Sequence, residues 1–220
     1  MLDTLAGAWA YAVAHPERVW RGITTHAHLS GTALAMATVL AVTGGVLLSR
    51  WRRAAPAVLA LAGLGRAIPH LAILAALLPL LGIGTRPAVV ALTLIAIPPV
   101  LVNTYTGITG VDPGAVDAAR GMGMGPWTLV WRVALPLVLP VVFAGLRTAA
   151  VNVVASATLA TFIGGGGLGD FIQAGLAMND VAQILVGAVP VAVGAVLVDA
   201  CFGGIERRLT SPGLRGVSGP

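Results

Sequence analysis

Residues 116–140 read VDAARGMGMGPWTLVWRVALPLVLP and form a polar, amphipathic interruption in a chain that is otherwise almost entirely apolar. The stretch is too charged to lie in the hydrocarbon of a bilayer. Asp112 and Pro113 predict the start of a short helix, and Pro126 predicts the start of a second one. Between them, three glycines are expected to break the chain: Gly121, Gly123 and Gly125. A hairpin of this kind, held between membrane spans, is a surface that a membrane protein can offer to a soluble partner.

The composition of the whole chain indicates a membrane protein. Its 220 residues are 57% hydrophobic and 10% charged, and the mean hydropathy is +0.93. The chain is far more apolar than a soluble domain, which predicts an all-α, polytopic bundle of membrane helices. A formal net charge of +5 could suggest nucleic acid. The arginines gather at the ends of apolar segments, however, so they indicate membrane topology and no nucleic-acid partner.

Two residue types exclude whole classes of chemistry. The basic residues are all arginine and lysine is absent, so the chain cannot contain the G-K-S/T loop that cradles nucleotide phosphates. We therefore expect ATP to be bound and hydrolysed by a separate protein. Cys201 is the only cysteine, which excludes an internal disulfide and a cysteine-based metal cluster. No nucleophile–base or metal constellation stands out, and the sequence predicts neither an enzyme nor a cofactor.

Five apolar segments between residues 25 and 205 predict five spans of one transmembrane domain. Four are uninterrupted, at about 25–48, 87–102, 135–163 and 181–205. The remaining segment, 54–84, is too long for one plain span and is interrupted by Arg66, Pro69 and Pro79. It predicts a broken or kinked helix whose freed backbone groups face protein or a water-filled cavity.

The segments outside the spans predict the topology. Residues 1–24 mix aromatic with charged side chains and lack a signal-peptide pattern, so we expect an interfacial helix followed by a turn. Arg50, Arg52 and Arg53 close the first span, and by the positive-inside rule this end faces the cytoplasm. Five spans then leave the N-terminus outside. The hairpin, within a loop at 108–135, and a polar tail at 206–220 lie in the cytoplasm.

The hairpin also carries a spaced motif. Asp117-Ala118-Ala119, then Gly123, then Val133 and Leu135-Pro136 are similar to E-A-A-x3-G-x9-I-x-L-P, the EAA signature of ABC-importer permeases. Asp117 replaces the leading Glu and Val133 replaces Ile. The resemblance implies a cytoplasmic coupling helix that docks into a groove of the ATPase subunit. The residues that it assigns to coupling are Asp117, Ala118, Ala119, Arg120, Gly121 and Gly123.

Further strings resemble the osmoprotectant branch of these permeases, which serves glycine betaine, carnitine, choline or proline. They are L-L-G-I-G-T at 80–85, N-T-Y-T-G at 103–107, V-D-P at 111–113, A-A-R-G-M-G-M at 118–124, A-G-L-R-T-A at 144–149, A-T-L-A at 157–160 and G-G-L-G-D at 166–170. Such relatives tend to have Gln-Thr before the Ile-Pro of the second span, where this chain has Arg66-Ala67.

The resemblance implies a type I importer permease in a bacterial cell membrane. Its partners would be an ATP-binding cassette ATPase, an extracytoplasmic substrate-binding protein and a second permease chain, identical or different. Three alternatives stay open. The G-G-G-L-G-D loop is also found in permeases of methionine-type importers. Broken helices and buried charges would suit a secondary transporter driven by an ion gradient, although five spans hold no complete inverted repeat. The hairpin could also be an ordinary surface element.

Polar residues within the spans predict a substrate path, because charges in lipid must face a cavity, a partner or an interface. The candidates are Arg66, His70, Arg147 and Asn152. Structural pairing is the alternative, and Asp199 could also reach the interface at the end of its span. The spans contain few aromatic residues for a cation–π cage. We therefore expect the binding protein to select the substrate and to dock on the outer loops near Arg86 and Asp170.

Overall fold

A computed structural model describes residues 2–209 of the chain, and this part is almost entirely helical with no β-strand. The α-helices are α1 Leu2–Ala14, α2 Pro16–Arg50, α3 Ala55–Ala67, α4 His70–Leu81, α5 Thr85–Thr109, α6 Pro113–Gly121, α7 Pro126–Leu129, α8 Leu135–Ser156, α9 Gly169–Met178 and α10 Val181–Leu209. A π-helical turn, Val130–Ala134, joins α7 to α8, and a 3-10 helix, Ala157–Ile163, extends α8.

The helices reproduce the expected set of membrane spans. Within the described residues, four helical stretches are long and apolar enough to cross a bilayer: Pro16–Arg50, Thr85–Thr109, Pro126–Ile163 and Val181–Leu209. Helices α3 and α4 together form a fifth candidate that is bent by 100°. The bend follows Ala67 and precedes His70, where Pro69 removes a backbone donor. The prediction of an all-α bundle with about five spans, one of them broken, is confirmed.

Several boundaries differ from those expected. The turn after the N-terminal helix lies at His15, since Pro16 starts α2, and no break occurs near residue 24. Helix α5 continues to Thr109, past the expected end of its span near residue 102. The Thr104 hydroxyl is satisfied within this helix, because it donates to Val100 O at 2.8 Å. Pro79 lies inside α4 without breaking it. The predicted 206–220 tail is helical to Leu209, and residues 210–220 lie outside the described part.

The spans connect two ends of the bundle. The hairpin end carries residues 110–126, and the glycine-loop end carries Gly164–Gly167. Helix α2 runs from the glycine-loop end, where Gly22 faces Phe171, to the hairpin end, where Arg50 lies over Trp127. Helices α8 and α10 run in opposite directions between the same two ends.

The core is built on α5, which packs between α2 and α8. Helix α2 contributes Ala33, Ala37 and Ala41, four residues apart and each no more than 1% exposed. Small residues at this spacing let helix backbones approach closely, which is how helices associate where water supplies no driving force. At the closest approach, a Cβ on Gly45 would lie 2.7 Å from Cβ of Thr104. The glycine and alanine content therefore determines how closely these helices pack.

A second, smaller core closes the glycine-loop end. Leu168, Phe171 and Val186 are buried there, and Tyr11 from α1 contacts the Phe171 ring edge-on with centroids 6.2 Å apart. Gly164, Gly166 and Gly167 have positive φ angles, which side chains other than glycine rarely tolerate. The glycine-rich stretch is thus a loop of defined turns that leads into α9.

Candidate functional site

The hairpin has the predicted construction. Oδ2 of Asp112 accepts a hydrogen bond from the Ala115 N–H at 3.0 Å, which caps α6. Helix α6 ends at Gly121 and is followed by a turn. In this turn the Gly123 N–H donates to the Arg120 carbonyl at 2.9 Å, and Gly123 has a φ of 77°. One expected feature differs. The second helix is not a separate short element, because α7 continues through the π-helical turn into the 38-residue stretch that ends at Ile163.

Five of the six predicted coupling residues form an exposed surface. Asp117 and Arg120 form an ion pair across one turn (3.6 Å), and their side chains remain 75% and 68% exposed. Ala118, Gly121 and Gly123 are also exposed. We call these five residues the coupling surface. Ala119 is only 1% exposed, so it packs inside the chain and supports the helix from beneath.

Two tryptophans flank this surface on the continuous helix. Trp127 and Trp131 are 49% and 55% exposed, and the guanidinium carbon of Arg50 lies 6.0 Å from the Trp127 ring centroid. This cation–π contact joins the end of α2 to the start of the long helix. Exposed tryptophan rings at the end of a span suit anchoring at a membrane interface.

An ion pair joins α8 to α10. Nε and Nη2 of Arg147 donate to the two carboxylate oxygens of Asp199 at 2.6 and 2.7 Å, and Nη1 lies 3.7 Å from Glu206. A Cβ on Gly203 would lie 3.2 Å from the guanidinium carbon, so this glycine lets the guanidinium lie against α10. This geometry corresponds to structural pairing, which the sequence left open as the alternative to a place in the substrate path. The bidentate arrangement satisfies both charges of the pair.

The ion pair lines an open cleft of about 390 Å³ on the side of the bundle. We call it the α8–α10 cleft, and its lining residues are Ala144, Arg147, Thr148, Val151, Asn152, Asp199 and Glu206. Two of the predicted path residues, Arg147 and Asn152, therefore lie together. One guanidinium faces two carboxylates here, which leaves the cleft with net negative charge.

The other two predicted path residues lie elsewhere. His70 Nδ1 is 2.7 Å from the hydroxyl of Ser156, an interhelical hydrogen bond that joins the start of α4 to the end of α8. Arg66 is exposed in the last turn of α3, beside the 100° bend, and it makes no hydrogen bond or ion pair within residues 2–209. The structure does not bring Arg66 and His70 into the α8–α10 cleft.

The two predicted docking residues share the glycine-loop end but do not touch. Arg86 is exposed in the first turn of α5. Asp170 is exposed at the start of α9, and its Oδ1 accepts a hydrogen bond from the Thr161 hydroxyl at 2.5 Å. Asp170 therefore also has a local structural partner, which the sequence alone did not indicate.

Three polar residues that line cavities were not expected. Glu206 falls in the predicted 206–220 tail, but α10 continues to Leu209, and a spacing of seven places Glu206 on the same helix face as Asp199. His26 and Ser30 are buried in α2, and their spacing of four, which places them on one helix face, was the available signal. Among the described residues, no group of three or more His, Cys, Asp and Glu is placed to hold a metal ion.

Comparison with known proteins identifies the family. Residues 32–211 match the family described as binding-protein-dependent transport system inner membrane component. A glycine betaine/carnitine/choline transport system permease protein of Bacillus subtilis is 42% identical over 192 residues, covering 87% of this chain and 88% of the relative. A carnitine transport permease protein of Listeria monocytogenes is 43% identical, covering 86% and 87%. An osmoprotectant import permease protein of Salmonella typhimurium is 34% identical, covering 86% and 91%.

Solved structures agree on the fold. A chain of the methionine ABC transporter MetNI in inward facing conformations has a TM-score of 0.80 at 22% identity, covering 90% of this chain and 99% of that one. Members of the matched family are transport subunits and not enzymes. Membership of this family implies an ATPase partner and a substrate-binding protein. The chain belongs to the binding-protein-dependent inner membrane component family and is the permease subunit of an ATP-driven ABC importer.

Proposed function

We propose that this permease carries a quaternary ammonium osmoprotectant such as glycine betaine, carnitine or choline. One observation carries the proposal. Permeases named for these compounds are 42–43% identical in sequence to this chain over 86–87% of its length. The likeness to the methionine transporter is 22% identical and bears on the fold alone, so it does not favour the methionine-type alternative.

The α8–α10 cleft is our candidate for part of the substrate path, with Arg147 and Asn152 in its wall. The Arg147 charge is neutralised by Asp199, and Glu206 adds a further carboxylate. Net negative charge favours a cation, and a quaternary ammonium is the cationic group that the proposed substrates share. The cleft contains no aromatic cage, which supports the proposal that the binding protein selects the substrate.

The bend between α3 and α4 supports the proposal that a second permease chain packs against this one. Helix ends expose unpaired backbone carbonyl groups, and such groups cannot face lipid. The α3 end also presents the exposed side chains of Arg66 and Ile68. A partner permease or a water-filled path would cover this bend. We therefore keep Arg66 and His70 as path candidates at the bend, separate from the α8–α10 cleft.

The coupling surface is the proposed ATPase contact. It protrudes at the hairpin end, where Arg50, Arg52 and Arg53 also lie, so we place this end in the cytoplasm. A short exposed helix with the small residues Ala118 and Gly121 can seat closely in a groove of a partner. Closure of the ATPase dimer would then move the long helix, because α7 is continuous with α8.

At the opposite end, we propose that the binding protein docks near Arg86 and Asp170. Residues 1–24 would lie at the adjacent membrane interface. Helix α1 exposes Leu5, Trp9 and Val13 at a spacing of four, which suits the boundary between lipid and water.

The substrate class can be tested with the complex of this permease, its ATPase and its binding protein in liposomes. We expect ATP-dependent uptake of radiolabelled glycine betaine, carnitine or choline, and none of methionine above the ATP-free background. ATP-dependent methionine uptake without uptake of any quaternary ammonium compound would contradict the substrate assignment.

Glu206→Gln tests the cleft in the same assay. Removal of one carboxylate should raise the apparent KM for choline, a cation, by roughly fivefold, and that for the zwitterion glycine betaine by less. Glu17→Gln, the same substitution on the exposed surface at the glycine-loop end, is the matched control. An equal effect of Glu206→Gln on both substrates, or none, would exclude the cleft as a cation path.

Ala118→Trp tests the coupling surface. A bulky ring on the exposed face of α6 should prevent close seating, so the yield of co-purified ATPase should fall and ATP-driven uptake should drop by about tenfold or more. Ala10→Trp, on an exposed position of α1 at the opposite end, should leave both unchanged. Retention of the ATPase and full uptake in the Ala118 variant would show that α6 is not the contact.

Asp170→Arg tests docking of the binding protein. Charge reversal should weaken capture of the loaded binding protein and reduce uptake while ATPase assembly stays intact. Thr161→Val is the control, because it removes the hydrogen bond to Asp170 and retains the carboxylate. If both variants lose capture equally, Asp170 acts by ordering the loop and does not contact the partner.

A further inference from the structure

A second cavity, distinct from the α8–α10 cleft, lies between α2, α8 and α10 towards the glycine-loop end. Its volume is about 280 Å³. Residues of α2, α8 and α10 line it, together with Leu168. The lining is mostly apolar and includes Leu34, Val154, Val191, Val198 and Phe202. We call it the α2–α10 cavity.

Two buried polar side chains line this cavity, and each has one polar atom without a hydrogen-bond partner among the described residues. His26 and Ser30 are 4% and 7% exposed, one turn apart on α2. Nε2 of His26 lies 3.0 Å from the Val154 carbonyl oxygen; because a carbonyl only accepts, this nitrogen carries the proton. Nδ1 of neutral His26 is then an acceptor, and neither it nor the Ser30 hydroxyl has a protein partner within residues 2–209. Buried polar groups are nearly always satisfied, so this pair indicates a ligand.

The chemistry of the pair defines what can satisfy it. The ligand group must donate to Nδ1 of His26 and also bond with the Ser30 hydroxyl. A carboxylate cannot donate to Nδ1. An ammonium with N–H groups could donate to both side chains, but its charge would be buried in a mostly apolar lining. A quaternary ammonium would enter a cavity whose lining includes no carboxylate. A neutral hydroxyl group satisfies both side chains.

The remainder of the cavity indicates what the hydroxyl is attached to. A Cβ on Gly167 would lie 3.5 Å from Cα of His26, so the polar pair is near the glycine-loop end. Leu34, Val198 and Phe202 lie further towards the hairpin end, deeper in the bundle. Water does not fill apolar space of this size readily. We infer that the α2–α10 cavity binds a neutral membrane amphiphile, with its hydroxyl on His26 and Ser30 and its hydrocarbon chain along Leu34, Val198 and Phe202.

The inference does not depend on which solute is transported. It can be tested with the purified permease–ATPase complex in lipid nanodiscs and a diazirine derivative of hexadecanol. Photolysis should label peptides of α2 and α10, and hexadecanol should compete. The methyl ether of hexadecanol has no O–H to donate to Nδ1 of His26, so it should compete about tenfold less well than hexadecanol. Equal competition by the ether, or labelling elsewhere only, would overturn the inference. Competition by choline instead would make the cavity a substrate site and would also overturn it.

Variants separate the hydroxyl contact from general apolar binding. Ser30→Ala and His26→Phe should each weaken competition by hexadecanol about three- to tenfold and leave competition by the ether less changed. Gly194→Leu should abolish labelling, because the space around its Cβ opens on the cavity and the nearest atom is Val154 Cγ1 at 3.9 Å. Gly204→Leu is the control on the same helix, because a Cβ at Gly204 would have no neighbouring atom within 4 Å. This variant should be labelled normally.

ATPase co-purification and the melting temperature of each variant report whether it has folded. If His26→Phe fails this check through loss of its bond to Val154, Ser30→Ala and Gly194→Leu still decide the result. Unchanged labelling and competition in these two variants would show that the two polar groups bind water only and would reject the amphiphile site.

Discussion

The bilayer imposes one constraint on which the whole structure depends: every backbone N–H and C=O at membrane depth must find a partner in protein or in a water-filled cavity. Helices satisfy this requirement internally, and the described chain is helical almost throughout. The departures from regular helix are therefore informative. They include the α3–α4 bend, the glycine loop, which packs against α2, and the hairpin, for which we propose a partner.

Close packing follows from the same environment. Without a hydrophobic force between helices in lipid, contact area and short backbone distances hold the bundle together. The alanines of α2 and Gly45 opposite Thr104 let α5 pack at the centre. A bundle made of small residues has smooth contacting surfaces, and this suits a permease whose helices must move relative to one another.

Charges within the bundle are arranged to limit the cost of desolvation. The Arg147–Asp199 pair joins two antiparallel helices through two hydrogen bonds, and Glu206 extends it into a cleft with net negative charge. His70 and Ser156 satisfy each other across α4 and α8. Polar groups therefore occur at helix junctions, where they specify which helices pair. The His26–Ser30 pair differs because Nδ1 of His26 and the Ser30 hydroxyl have no partner within the described residues, and this is why we infer a ligand there.

Some properties were determined by the sequence alone. Hydropathy requires a helical membrane bundle, Pro69 requires a break in the second apolar run, and Asp112, Pro113 and Gly123 define the hairpin, because these are local backbone constraints. The tertiary structure decided what depends on distant contacts. It showed that Ala119 faces inward while Ala118 faces outward, that Arg147 and Asn152 share a cleft from which Arg66 and His70 are absent, and that His26 lies beside Val154. Periodicity identifies a helix face, but the element that covers it is determined by contacts between residues 52, 86 and 128 positions apart.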